Sequence, residues 1–117
     1  MADSASELDE EFLGELLEGD VEFANELFDT YDESADASLS EAERLLAEGD
    51  AAGLFRPFHT LKGASASVGL VGVRALAREF EMDAKDGHAD RCRERFAELR
   101  EAVGLGKRAL KGYLETL

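Results

Sequence analysis

The sequence predicts an all-α domain: an antiparallel up-and-down four-helix bundle with an additional short N-terminal helix. Three observations carry this. Ala, Leu, Glu and Arg dominate and a single proline occurs in 117 residues, a composition of strong helix formers. Apolar residues recur three and four apart, with no run of alternating β-branched residues. Glycines separate the apolar patterns by only a few residues each, and connections that short make consecutive helices pack antiparallel.

The elements follow in order. Leu8, Phe12, Leu13, Leu16 and Leu17 form a short first helix that stops near Gly19. Asp20 is placed to cap a long second helix, whose stripe is Val21, Ala24, Leu27, Phe28, Tyr31, Ala35, Leu39, Ala42, Leu45 and Leu46. Gly49 ends it and Asp50 is placed to cap the third, which carries Leu54, Phe58, Leu61, Ser65 and Val68 and stops at Gly69. A fourth helix presents Val73, Leu76, Ala77, Phe80 and Ala84 and ends at Gly87; a fifth runs from about Ala89 with Cys92, Phe96, Leu99, Val103, Leu110 and Leu114 inside. Pro57 falls within the third pattern. It predicts either a kink or a helix that begins near Arg56 with the proline in its first turn; the apolar spacing, already established at Leu54, favours the kink. Gly104 and Gly106 each weaken the last helix by about 1 kcal/mol relative to alanine, which points to close approach of another helix or to fraying.

Residues 1–117 read as one domain, with residues 1–7 expected to be flexible. Apolar residues at 44% supply a core, which argues against disorder. No uncharged run reaches the ~18 residues of a membrane span, and the acidic start MADSASELDEE lacks the apolar segment of a signal peptide. One cysteine excludes an internal disulfide and a thiolate metal cluster. The formal charge of −14 argues against non-specific nucleic-acid binding. These features describe a soluble, cytoplasmic domain, expected to be a monomer. The charge is uneven: residues 1–53 hold 18 acids and one base, Arg44, whereas residues 54–117 hold 9 acids and 12 bases. Either the acids simply coat solvated helix faces, or an acidic partner docks on the second half.

The stretch from Phe58 to Gly69 carries the chemistry. On a helical wheel His59 points about 150° from the centre of the core stripe, with Lys62, Gly63 and Ala66 on its face. An exposed imidazole is a nucleophile near neutral pH. An ammonium one turn on can offset charge on a transferred phosphoryl group, and a glycine and a methyl leave room for a large partner. On the fourth helix Arg74, Arg78, Glu81 and Lys85 occupy a face adjoining the core. Packed antiparallel, Glu81 either reaches the His59 ring, accepting the Nδ1 proton and leaving Nε2 as the nucleophile, or pairs with Lys85 on the surface. Phe55 lies at the border of the stripe beside His59, and with Ala66 and the cations Arg74, Arg78 and Lys85 it outlines a docking surface. His88 reads as a turn residue, Cys92 as core, and Arg91, Arg93 and Arg95 as a solvated face. The small residues between Gly63 and Gly69 follow no strand and lack the Gly-Lys-Ser/Thr ending of a phosphate-cradling loop.

From about Leu8 onward, with His59-Thr60-Leu61-Lys62-Gly63 as its motif and Gly69 closing the helix, the chain resembles a histidine-containing phosphotransfer (HPt) domain of two-component phosphorelays. Ala64 stands where many members have serine, and Pro57 where alanine is common. The resemblance implies that His59 accepts a phosphoryl group, that Lys62 assists and that Gly63 gives room. It also implies that Glu81 orients the ring, as a glutamate does in similar domains of chemotaxis kinases. The partners it implies are receiver domains of response regulators or hybrid histidine kinases. No cofactor is expected on this chain, Mg²⁺ belonging to the receiver. The domain would be a covalent carrier rather than an enzyme, since no ATP-binding glycine motif is present. Two further readings stay open: the phosphotransfer domain of a larger sensor or chemotaxis kinase, and a helical adaptor without chemistry.

Overall fold

The computed structural model describes residues 2–117, with side chains described from Ser4 onward. Five α-helices follow a short 3₁₀ helix, Ala2–Ser6: α1 Glu10–Leu17, α2 Val21–Glu48, α3 Phe55–Ser67, α4 Val71–Lys85 and α5 Ala89–Leu114. Among the described residues α3 lies against α2 and α4, and α5 against α2 and α4, with no close backbone approach across either diagonal; the four long helices therefore form a square bundle. The contacts fix its sense. Between α2 and α5, Arg93 reaches the Leu46 carbonyl, Arg100 meets Glu43 and Lys107 meets Asp32, so one number rises as the other falls. Arg91 with Asp83 and Arg95 with Glu79 give the same antiparallel order for α4 and α5.

Asp20 caps α2 as the sequence indicates, Asp9 plays the same part for α1, which starts at Glu10 rather than Leu8, and Asp50 departs from expectation. Asp9 and Asp20 accept hydrogen bonds at 3.0 Å from the backbone N–H of Phe12 and Phe23, which satisfies donors orphaned at a helix start. Asp50 instead accepts from Gly53 N–H, inside the turn, and α3 opens at Leu54 without a side-chain cap. This start also corrects the reading of Pro57. The proline is the third residue of α3, where its missing N–H would have had no intrahelical partner, so the helix accommodates it without a kink. The apolar spacing at Leu54 had suggested an earlier start; Leu54 is buried, but from the turn that precedes the helix.

The core runs the length of the bundle through Leu54, Phe58, Leu61, Val73, Phe80, Leu99 and Leu110. Tyr31 joins it with its hydroxyl 2.9 Å from Ser65 Oγ, a buried tie between α2 and α3. Cys92 is fully buried, and burial pushes its thiol up to about 11. The first helix contributes less than its pattern suggests: Leu13 and Leu17 are buried, but Phe12 and Leu16 are each 38% exposed. Lying across the bundle end, so short a helix has only one line of contact. Gly69 receives it, with φ +73° and its carbonyl accepting Asp9 N–H at 2.8 Å. Of residues 1–7, Met1 lies outside the described residues, and Ala2–Ser6 rests against α4 and α5 with Ala5 buried. No helix is long and apolar enough to cross a membrane among the described residues.

Of the two glycines in α5, Gly106 marks a close approach: a Cβ there would lie 2.7 Å from Val73 Cγ2, whereas at Gly104 the nearest atom is Arg108 Nη1 at 3.7 Å. Opposite outcomes follow. Gly104→Ala should raise stability by up to about 1 kcal/mol through helix propensity. Gly106→Ala should lose about 1–2 kcal/mol net, overpacking outweighing propensity. Thermal denaturation of the two variants checks the contrast in sign.

Candidate functional site

The site lies where α3 and α4 run side by side. His59 sits early in α3, facing outward, its side chain 59% exposed. Across the groove Glu81, in the later half of α4, is only 4% exposed. Phe58 and Phe80, the residues immediately before them, pack against each other in the core with ring centroids 5.3 Å apart. That pair locks the two helices in register. The His59 ring bonds through Nδ1 to Glu81 Oε2, and Lys62 Nζ donates to the other oxygen, Oε1, at 2.8 Å. One buried carboxylate thus ties together the exposed imidazole and the ammonium one turn along.

Electrostatics follow from this arrangement. Burial alone would raise the Glu81 pKa, but hydrogen bonds from Lys62 and His59 outweigh it and hold the carboxyl below its ordinary value. An ionised carboxylate only accepts hydrogen bonds, so the proton between His59 and Glu81 sits on Nδ1. In the neutral ring the remaining nitrogen, Nε2, then carries the free lone pair. A depressed folded-state pKa means that the stabilisation is fully present above the ordinary value of 4.5 and is lost as pH falls through the lower folded one. Glu81→Gln removes this contribution. Its melting temperature should therefore fall short of wild type at pH 6–7 and approach it as pH is lowered well below 4.5. Parallel melting curves across that range would exclude an ionised Glu81 as a structural tie.

The family model described as Hpt domain matches residues 26–109. The chain belongs to the Hpt domain family. A phosphorelay intermediate protein of Dictyostelium discoideum, rdeA, is 28% identical over 95 residues; the match covers 81% of this chain and 37% of that relative. No solved structure matches.

Around the His–Glu–Lys cluster, this Hpt domain presents an open face. Gly63 is exposed, and a Cβ there would meet nothing within 4 Å; Ala66 is exposed on the next turn. Phe55, 39% exposed, stacks on the His59 ring with centroids 5.3 Å apart and planes 16° from parallel. Arg74, Arg78 and Lys85 are exposed along α4. These three cations form no salt bridge among the described residues, whereas Arg44, Arg91, Arg95, Arg100 and Lys107 are each paired with an acid. Glu81 pairs with His59 and Lys62, not with Lys85. Sequence reasoning missed the bond from Lys62 to Glu81, which it gave only to an incoming phosphoryl group. The signal was present: Lys62 lies between the His59 face and the core stripe, on the side from which Glu81 approaches. His88 precedes α5 at its N-terminus. No group of three or more His, Cys, Asp or Glu side chains is gathered as a metal site among the described residues.

Proposed function

We propose that this Hpt domain is a phosphorelay intermediate. The observation that carries the reading is an exposed imidazole whose Nδ1 is held by a buried carboxylate, leaving Nε2 free to react. In the forward step the Nε2 lone pair attacks the phosphorus of an aspartyl phosphate on a receiver domain. The N–P bond forms as the acyl P–O bond breaks and the receiver carboxylate leaves. The ring becomes an imidazolium that keeps its Nδ1 proton against Glu81, so the new positive charge is balanced where it arises. Return of the phosphoryl group to a second receiver is the same step reversed. Such transfer depends on positioning and charge offset, which Glu81 and Lys62 are placed to supply.

The partners are receiver domains of response regulators or hybrid histidine kinases. Mg²⁺ belongs to the receiver's acidic pocket, and the domain works in the cytoplasm as a monomer. The unpaired cations Arg74, Arg78 and Lys85 suit an acidic partner, and they set encounter rate and salt dependence more than final affinity. An adaptor without chemistry would have no use for a carboxylate buried beneath an exposed histidine.

The test is incubation with a panel of phosphorylated receivers, reading acid-labile, hydroxylamine-sensitive phosphate on His59. Transfer from at least one receiver is expected, and none from any would overturn the reading. Chemical-shift mapping with the cognate receiver should place the perturbations on α3 and α4 around Phe55, His59, Gly63 and Ala66. Shifts concentrated on acidic α2 would contradict the docking surface.

A further inference from the structure

An imidazole that is more than half exposed ordinarily moves among rotamers. The Glu81 bond removes only part of that freedom, because the ring can still hinge about the axis from Nδ1 to the carboxylate oxygen. The second constraint comes from within α3. Phe55 precedes His59 by four residues, the spacing at which helical side chains meet, and its ring lies 16° from parallel over the imidazole with centroids 5.3 Å apart. That separation is typical of offset stacking. Hinging the imidazole out of its plane would break this contact.

We propose that Phe55 is a positioning residue for phosphoryl transfer: its ring and Glu81 together hold the His59 imidazole in one plane and one rotation, so that Nε2 faces the incoming phosphorus. The proposal rests on His59 being the phosphoacceptor. A second effect acts in the same direction. The imidazole becomes cationic as the N–P bond forms, and an aromatic face attracts a cation more than a neutral ring. The stack is therefore stronger after attack than before it, which is the condition for an interaction to accelerate a step. Exposure at 39% also leaves part of Phe55 free to touch a receiver, so its contribution to positioning must be read without one.

Phosphoramidate serves as the donor, because it needs no docking surface. Nε2 attacks its phosphorus, the P–N bond breaks, ammonia leaves, and the imidazolium retains its Nδ1 proton on Glu81. Wild type, Phe55→Ala, Phe55→Leu and Phe55→Tyr are compared in initial labelling of His59. The imidazole carbon-bound proton shifts, which report the ring current of a stacked aromatic, are recorded for each. Phe55→Ala and Phe55→Leu should label about 5-fold more slowly and lose the ring-current shift, while Phe55→Tyr keeps both. Leucine preserves an apolar side chain on α3, so slow labelling by that variant is not a folding defect. Labelling of both variants at the wild-type rate overturns the positioning role and leaves the phosphoacceptor reading standing. A wild-type chain that takes no phosphate overturns the phosphoacceptor reading and the positioning role with it.

Discussion

His59→Gln is expected to abolish phosphoryl acceptance outright while leaving the fold unchanged. The side chain is 59% exposed and adds nothing to the core, and substitutions at such positions shift stability by about 0.5 kcal/mol or less. Glutamine can still offer an amide N–H toward Glu81, and Lys62 still holds the other carboxylate oxygen at 2.8 Å, so the buried charge keeps a partner. An amide nitrogen has no available lone pair, and no second histidine stands near: His88 lies at the start of α5. Acid-labile phosphate should therefore be absent from the variant, with its melting temperature within about 2 °C of wild type. Acceptance by the variant would move the reactive group elsewhere. A large fall in melting temperature would show that the ring contributes to packing.

The bundle was legible from the sequence because its signal is redundant. Each long helix repeats its apolar stripe over several turns, and Asp20, Gly49, Gly69 and Gly87 mark ends that the structure keeps. Single residues acting alone were read less well. Asp50 has the chemistry of a cap but spends it on Gly53 N–H, and nothing local distinguishes those two uses. Pro57 was compatible with two helix starts, and the choice depended on whether Leu54 is buried from a helix or from a turn. The site divides in the same way. That His59 faces outward follows from helical geometry alone. The degree of Glu81 burial depends on how closely α3 and α4 approach, which Phe58 and Phe80 set across the interface; no pattern within α4 reports it. The bond between Lys62 and Glu81 has the same tertiary origin.

That bond gives Lys62→Ala two consequences. The first is loss of an ammonium beside the reacting nitrogen. Charge builds on the equatorial oxygens as the phosphoryl group moves, and deleting one preorganised donor to such charge costs roughly 100-fold in rate. Lys62 is well placed for this, because Glu81 Oε1 anchors its Nζ and its side chain is only 25% exposed, so little ordering is needed when substrate arrives. The second consequence concerns Glu81. Without the lysine, the buried carboxylate keeps only the His59 ring as a partner, so its pKa rises and the fold loses part of the stabilisation that the ionised form supplies. The transfer rate of Lys62→Ala should therefore fall about 100-fold, and its melting temperature should fall below that of wild type near neutral pH. Receiver affinity should change much less than rate. Single-turnover transfer from a phosphorylated receiver, measured alongside equilibrium binding and thermal denaturation, separates the two effects. An unchanged melting temperature would leave only the missing charge at the phosphoryl group, and an unchanged rate would reduce Lys62 to helix surface.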